Sequence, residues 1–211
     1  MSLKPNIVSV TGVATKRVFD FVLALFLLVA LSPLLVALAI AVKLSSPGPV
    51  FYRWRVVGRG GRPFVGYKFR SMYVDADERK AALLAGNEMS GPVFKLTNDP
   101  RITRVGKVLR KYSLDELPQL WSVLKGDMSI VGPRPERSEF VELFERRVDH
   151  YDDRHRVKSG ITGWAQVHGL RGKTSLRDRI ELDNFYIENW SLGLDFKILL
   201  LTVGALFHPA E

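Results

Sequence analysis

Two adjacent acids, Asp115 and Glu116, stand in the hexapeptide Ser113-Leu114-Asp115-Glu116-Leu117-Pro118. A carboxylate pair can supply a nucleophile, a general base or a ligand for a hard cation. The same hexapeptide also reads as a Ser-x-x-Glu capping box, an ordinary helix start. Pro118 argues against that reading. With Ser113 as the cap, it would fall where a missing N–H and a ring clash are costly. Proline prefers the first helical position, so a helix starting near Leu117 is the alternative. Either way the acids would sit in the positive field of a helix N-terminus. That field favours ionised carboxylates and attracts phosphate, contributing roughly 0.3–1 kcal/mol at a surface.

Cations surround this segment in the sequence. Arg110 and Lys111 lie just upstream. Arg134 lies between Pro133 and Pro135, so its backbone is stiff and little entropy opposes a bidentate grip on phosphate. Lys68 and Arg70 occur in YKFRSM, and Lys158 and Arg171 flank a glycine-rich stretch with one tryptophan, HRVKSGITGWAQVHGLRG (155–172). Any one of these cations is accounted for by a solvated surface. Their interleaving with glycine, proline and aromatic residues is less easily accounted for. Acids among such cations suggest chemistry at phosphorus, with an aspartate as nucleophile and Mg2+ offsetting phosphate charge. The four histidines, His150, His155, His168 and His208, show no metal-binding spacing, so zinc is not expected. The glycines of 57–63 match neither GxxxxGK[ST] nor GxGxxG after a strand, and read as a hairpin turn.

The composition bounds the scaffold. The chain has 211 residues, no cysteine and a net charge of +9, with 25% charged and 46% hydrophobic residues. Disulfide scaffolds, thiolate metal sites and cysteine nucleophiles are excluded, and so is global disorder. Mean hydropathy is +0.02, an average over two unlike parts. From Phe21 to Val42, 20 of 22 residues are apolar, long enough to cross a bilayer core of roughly 30 Å as a helix. Ser32-Pro33 interrupts this run. Proline kinks a helix, and the Ser32 hydroxyl can satisfy the carbonyl that the kink frees. A bent transmembrane helix and a re-entrant hairpin both fit. Basic residues on both flanks (Lys16, Arg17; Lys43, Arg53, Arg55) place both ends on the cytoplasmic side. Asp20, at the apolar edge, is expected to pair with Lys16 or Arg17.

Beyond residue 45 the sequence reads as globular. SSPGP (45–49) is a link. Val50–Tyr52 and Phe64–Phe69 read as strands of a hairpin. Helices are expected over Val74–Ala85, Ile102–Lys111, Leu117–Lys125 with Gly126 as its stop, Phe140–Asp152 and Leu176–Asn189, and a loop over Gly86–Pro100. Ile198–Phe207 is apolar but too short to span; it lies in the interface or caps the core.

Several stretches carry a resemblance: KRVFDFVLAL with SP inside the apolar run, GPVFYRWRVVG, YKFRSM, DPRITRVGKVLRKYSLDELPQLWSVLKGDMSIVGPRP and GITGWAQVHGLRG. Together, from about Lys16 to Thr202, they resemble the bacterial sugar transferase family, the small monotopic phosphoglycosyl transferases acting on polyprenyl phosphate. The resemblance implies an α+β, mainly helical fold. An N-terminal tail (1–15) would precede a re-entrant membrane hairpin (16–45) broken at Ser32-Pro33, then a cytoplasmic catalytic domain (46–211) with interfacial helices and a short β-hairpin. It implies that Asp115 and Glu116 are catalytic, Asp115 as nucleophile and Mg2+ ligand, and that Lys68, Arg110, Arg134 and Arg171 handle phosphates or the nucleotide. The implied donor is a UDP-sugar and the acceptor undecaprenyl or another polyprenyl phosphate at a bacterial inner membrane, with no nucleic-acid partner. The chain departs from the family's usual residues at Ser122, Ser159 and His168; His168, near Arg171, would bear on sugar or nucleotide preference. Larger relatives carry a transmembrane bundle ahead of this domain, so this chain is expected to be the minimal catalytic unit or a piece of a longer protein cut to it. Two other classes are weighed against this reading. One is a magnesium-dependent lipid-phosphate hydrolase, which would release free phosphate and need no UDP-sugar. The other is a non-enzymatic basic adaptor, which would bind without turnover.

Overall fold

A computed structural model describes residues 9–88, 94–170 and 174–207. The described chain is mainly helical, with two small two-stranded sheets. Helix α1 (Val10–Ala30) begins with Ser9 as its cap, the hydroxyl accepting from the Gly12 N–H, and so starts ahead of Lys16. Helix α2 (Ser32–Ser45) follows after Leu31. Among the described residues no single helix is long and apolar enough to cross a membrane; α1 and α2 together are by length and composition, but they are bent by 65° at this break. The bend has a local cause. Pro33 has no N–H for the Val29 carbonyl, and the Ser32 hydroxyl donates to that carbonyl at 2.8 Å. Outside the bend, Val22, Phe26 and Val29 on α1 and Val36, Ile40 and Leu44 on α2 are more than half exposed.

The body of the protein grips both legs of this pair. On α1, Lys16 is buried and bonds Asp20 at 3.0 Å and Asp195 at 2.8 Å, while Asp20 also accepts from the Ile130 N–H. The expected pairing of Asp20 with Lys16 is therefore present, and Asp195 adds a partner from the far end of the chain. Arg17 instead donates to the carbonyls of Val123 and Leu124, both at 2.6 Å. These are among the orphan carbonyls of α5 (Gln119–Lys125), which Gly126 ends in the left-handed conformation. The main core lies here: Ala24 of α1, Leu120 and Val123 of α5, Ile130 and Val131, and Ile187 and Ile198. On the other leg, Val42 of α2 packs with Phe69 and with Leu109 of α4 (Arg104–Lys111).

Strands β1 (Phe51–Val57) and β2 (Pro63–Phe69) form the expected hairpin, with Tyr52 opposite Lys68 and Trp54 opposite Gly66. The first strand runs five residues past Tyr52 because Val56 and Val57 bury against the core. Helix α3 (Ala76–Leu83) continues as a 3₁₀ turn to Gly86. The helix expected to Asp152 is shorter: α6 (Ser138–Glu145) ends in a turn, His150 takes a left-handed conformation, and a 3₁₀ segment covers Tyr151–Arg156. Its apolar side chains, Phe144 and Tyr151, still share one core, so hydrophobic spacing carried across a break. Strands β3 (Ser129–Val131) and β4 (Gly160–Thr162) pair in parallel, which the sequence reading did not anticipate. Helices α7 (Trp164–Val167), α8 (Leu176–Glu188) and α9 (Leu192–Phe207) complete the fold. Helix α9 starts before Ile198 and caps the core through that fully buried residue, while Phe196, Leu200 and Val203 face outward.

Helix α4 lies hard against the chain after β2. A Cβ on Gly106 would stand 1.9 Å from the Ser71 carbonyl oxygen. Gly106→Ala is therefore expected to force α4 away and to cost about 1–3 kcal/mol or more, read as a lowered denaturation midpoint.

Candidate active site

The two acids lie where the legs of the bent pair meet the body. Helix α4 ends at Lys111, and Ser113 turns the chain in a left-handed conformation (φ 54°, ψ 23°). A 3₁₀ turn, Leu114–Glu116, then carries the acids, and α5 begins after Pro118. The capping-box reading fails: Ser113 makes no side-chain cap, because its backbone is left-handed rather than extended. The alternative holds in outline, with the regular helix starting two residues later than Leu117. Helix α4 packs on α2 and α5 packs on α1, so the turn is fixed from both sides by the bent pair.

This turn forms one wall of a cleft of about 540 Å³. Lys68, Arg110 and Arg134 all line it with Asp115 and Glu116, so the structure brings these five candidates together. Each comes from a different element: Lys68 from β2, Arg110 from α4 and Arg134 from the loop after β3. Glu116 is the anchor. Its Oε1 accepts from Lys68 Nζ at 2.6 Å and Arg134 Nη2 at 2.7 Å, and its Oε2 accepts from Arg134 Nη1 at 3.2 Å. Burial opposes its ionisation, but Arg134 and Lys68 win and hold it well below the usual carboxylate range. The field that keeps this acid charged therefore comes from side-chain cations rather than from a helix end.

Asp115 is placed differently. Among the described residues its carboxylate makes no hydrogen bond or ion pair, although Lys68, Arg110 and Arg134 all act on it through space. Burial, and then the neighbouring Glu116, push its pKa up. One acid of the pair is thus committed to cations and the other is held close to them with its oxygens uncommitted. Arg110 is oriented by Ser71, whose hydroxyl accepts from Nε at 2.8 Å. Lys68 also sits 4.3 Å from the Trp54 ring centroid. Burial lowers the pKa of Lys68 against the pull of Glu116.

The cleft includes residues that sequence reading missed: Tyr52, Trp54, Ser71, Asp77 and Arg137. The hairpin register contains part of this information, since Tyr52 and Trp54 share the face of Lys68. Trp54 covers Gly66, where a Cβ would lie 2.5 Å from the indole nitrogen. Arg70 also borders the cleft, but it clasps the 45–49 link, donating to the carbonyls of Ser46 and Pro47. Other expectations fall elsewhere. His168 does not line the cleft; it is exposed and its ring packs on Trp164 at 4.1 Å. Ser122 lies on the buried face of α5, and the Ser159 hydroxyl donates to the Val57 carbonyl. Arg171 and His208 lie outside the described residues. His155, despite its uninformative spacing, comes within 4.8 Å of Glu145 and Asp152, away from this cleft.

Known proteins are similar to this chain over about nine tenths of its length. Over 194 residues it is 48% identical to a UDP-glucose:undecaprenyl-phosphate glucose-1-phosphate transferase of Xanthomonas campestris pv. campestris, covering 90% of this chain and 38% of that protein. It is 46% identical to a protein of the same name from Escherichia coli (strain K12), over 89% of this chain and 39% of the relative. A UDP-N-acetylgalactosamine-undecaprenyl-phosphate N-acetylgalactosaminephosphotransferase of Aeromonas hydrophila is 46% identical, with 90% and 43% covered. The chain thus spans about two fifths of the length of these relatives. The profile for bacterial sugar transferases matches residues 11–209, taking in the bent helix pair, the acid pair and all of its cations, and on that span the chain belongs to the bacterial sugar transferase family.

Proposed function

We propose that this chain transfers a sugar-1-phosphate from a UDP-sugar to undecaprenyl or a related polyprenyl phosphate, through a covalent phosphosugar on Asp115. The observation that carries this reading is the division of the acid pair. Glu116 is bonded through both oxygens by Lys68 and Arg134, whereas Asp115 faces the same cations with uncommitted oxygens. Asp115 attacks the β-phosphorus of the donor. The bond from that phosphorus to the bridging oxygen breaks, and UMP leaves with the electron pair. A phosphate oxygen of the polyprenyl phosphate then attacks the same phosphorus, and the Asp115 carboxylate is released. No net proton transfer is required. Lys68, Arg110 and Arg134 are preorganised around the charge that develops on phosphorus oxygens. Splitting the transfer lets one cleft serve a water-soluble donor and a lipid acceptor in turn.

The donor set suits Mg2+, which takes one or two carboxylates together with phosphate oxygens. Asp115 is the fitting ligand, since both Glu116 oxygens already accept from cations. Such an ion would neutralise diphosphate charge. The bent pair and its exposed apolar side chains support a re-entrant seat in the cytoplasmic leaflet of a bacterial inner membrane, which would hold the cleft at a fixed height over the lipid phosphates. Cysteines introduced at Ser2 and at Pro47, which is exposed, are expected to label from the same side of the membrane; labelling from opposite sides excludes the hairpin.

The function is tested by UMP release from a panel of UDP-sugars with and without undecaprenyl phosphate. UMP from none of them in the presence of the lipid overturns the reading. The pH profile gives a second check. Activity needs ionised Asp115 and falls as pH drops through its pKa, so the acid limb should lie above the ~3.9 of a free aspartate. In Glu116→Gln a like charge is removed and Lys68 and Arg134 are left unneutralised. Both changes favour the Asp115 carboxylate, so the limb of the residual activity should move to lower pH.

A further inference from the structure

A second cavity, of about 190 Å³, shares no lining residue with the acid-pair cleft. It lies between α1, β3, the turn of the β1–β2 hairpin and the chain entering β4. Five cations line it, Lys16, Arg17, Arg59, Arg156 and Lys158, against a single acid, Asp20. Lys16 and Asp20 satisfy each other, and Lys16 also binds Asp195. Arg17 is held by two backbone carbonyls, which leaves its charge uncompensated by any acid. Arg156 has an acid only at 3.9 Å, Asp153, which also stands 3.3 Å from His150. Among the described residues, the Lys158 and Arg59 side chains have no hydrogen bond and no ion pair.

These heads converge. A Cβ built on Gly126 would lie 3.4 Å from Arg17 Nη2 and 3.5 Å from Lys158 Nζ, so two cationic groups meet over one point of the backbone. The hairpin turn Arg59–Gly61 packs on the 3₁₀ segment Tyr151–Arg156 and brings two more. Burial lowers the Lys158 pKa, and Arg17 and Arg59 add to the effect, with Asp20 and Asp127 opposing it through space. Folding thus gathers four positive charges around a small cavity, a cost that an anion with several acceptor oxygens removes. The cavity is small beside the ~300–1,000 Å³ of sites for drug-sized ligands, and suits a single phosphate group rather than a nucleotide sugar. Arg17 also stands one helical turn before Phe21, where the exposed apolar run of α1 continues. In a membrane-seated protein this is the headgroup level.

We propose that Arg17, Arg59, Arg156 and Lys158 form a binding site for a phosphate group, supplied by an anionic phospholipid headgroup or by a soluble phosphate ester. Occupation ties the hairpin turn and the start of β4 to α1. The lipid source rests on the membrane seat proposed above; the site itself does not.

Lysine acylation footprinting of the full chain tests it. The chain is placed in phosphatidylcholine vesicles, in vesicles also containing phosphatidylglycerol, and in phosphatidylcholine vesicles with added glycerol 1-phosphate. Lys80, outside the cavity, is the internal reference. Lys158 labelling is expected to fall about fivefold or more with one or both phosphate sources, a size in keeping with the attraction of single cations to anionic headgroups. Arg59→Gln should remove that protection. Protection by phosphatidylglycerol alone assigns a lipid ligand, and protection by glycerol 1-phosphate assigns a soluble one or a general phosphate site. Equal labelling in all three conditions, or full protection persisting in Arg59→Gln, overturns the proposal. Failure to sediment with either vesicle would instead refute the membrane seat, and the glycerol 1-phosphate arm would still decide the site.

Discussion

Asp115→Asn is expected to reduce UMP release by roughly four orders of magnitude or more, the scale on which loss of a covalent nucleophile is felt. An amide cannot displace UMP, and the adjacent Glu116 is not free to replace it, because it is bonded through both oxygens. The fold should be little affected. The Asp115 carboxylate has no partner to lose among the described residues, and burial already disfavours its charge. Glu116→Gln should behave in the opposite way. It breaks two cation pairs, so it should cost on the order of 1–3 kcal/mol of stability, between exposed and buried ion pairs. The two variants are separated by measuring single-turnover UMP release alongside denaturant midpoints. A stable Asp115→Asn enzyme that still forms UMP at wild-type rate would remove the nucleophile from the mechanism.

The acid pair was legible because its chemistry is local. Asp115 and Glu116 are adjacent, and Arg110 and Arg134 lie within twenty residues of them. Lys68 was marked by the YKFRSM stretch, and the apolar run with Ser32-Pro33 announced both the bend and its hydroxyl repair. What escaped was set by distance along the chain. Asp195 secures Lys16 across nearly the whole sequence, and nothing near Lys16 signals that partner. Strands β3 and β4 have three residues each, too few to show alternation, and in parallel pairing with both faces covered there is none to see. The capping box misled because Ser-x-x-Glu spacing does not report the backbone of Ser113, whose left-handed turn aims the acids into the cleft. Trp54 and Tyr52 read as strand aromatics until the register set them on the face of Lys68.

The second large effect is expected far from the reacting atoms, at Arg154. This arginine is buried and donates through Nη2 to the Arg134 carbonyl at 2.6 Å and to Asp183 at 2.8 Å. Glu136, itself bonded by Arg179 at 2.9 Å, stands 3.7 Å from its other nitrogen. Arg154→Met should cost about 3–5 kcal/mol, because it strands the buried Asp183 carboxylate without its bonded counter-charge, while Glu136 keeps Arg179. The sign of the pH dependence follows from Asp183. Burial already pushes its pKa up to about 6 in spite of Arg154, and without the arginine it should rise further. The folded state then binds a proton that the unfolded chain does not, so the variant should gain stability as pH falls from 7. Replacing the pair together, Arg154→Met with Asp183→Leu, should recover most of the loss, as apolar substitutes for buried ion pairs commonly do. Activity should not recover with it. The Arg134 carbonyl still lacks its donor, and Arg134 is the cation that holds Glu116 and faces Asp115. A double variant with near-native stability and kcat lowered by about tenfold or more would mark Arg154 as a positioning residue, since misplacing a charge-stabilising group by a fraction of an ångström costs that much. Full return of kcat with stability would reduce Arg154 to a core ion pair.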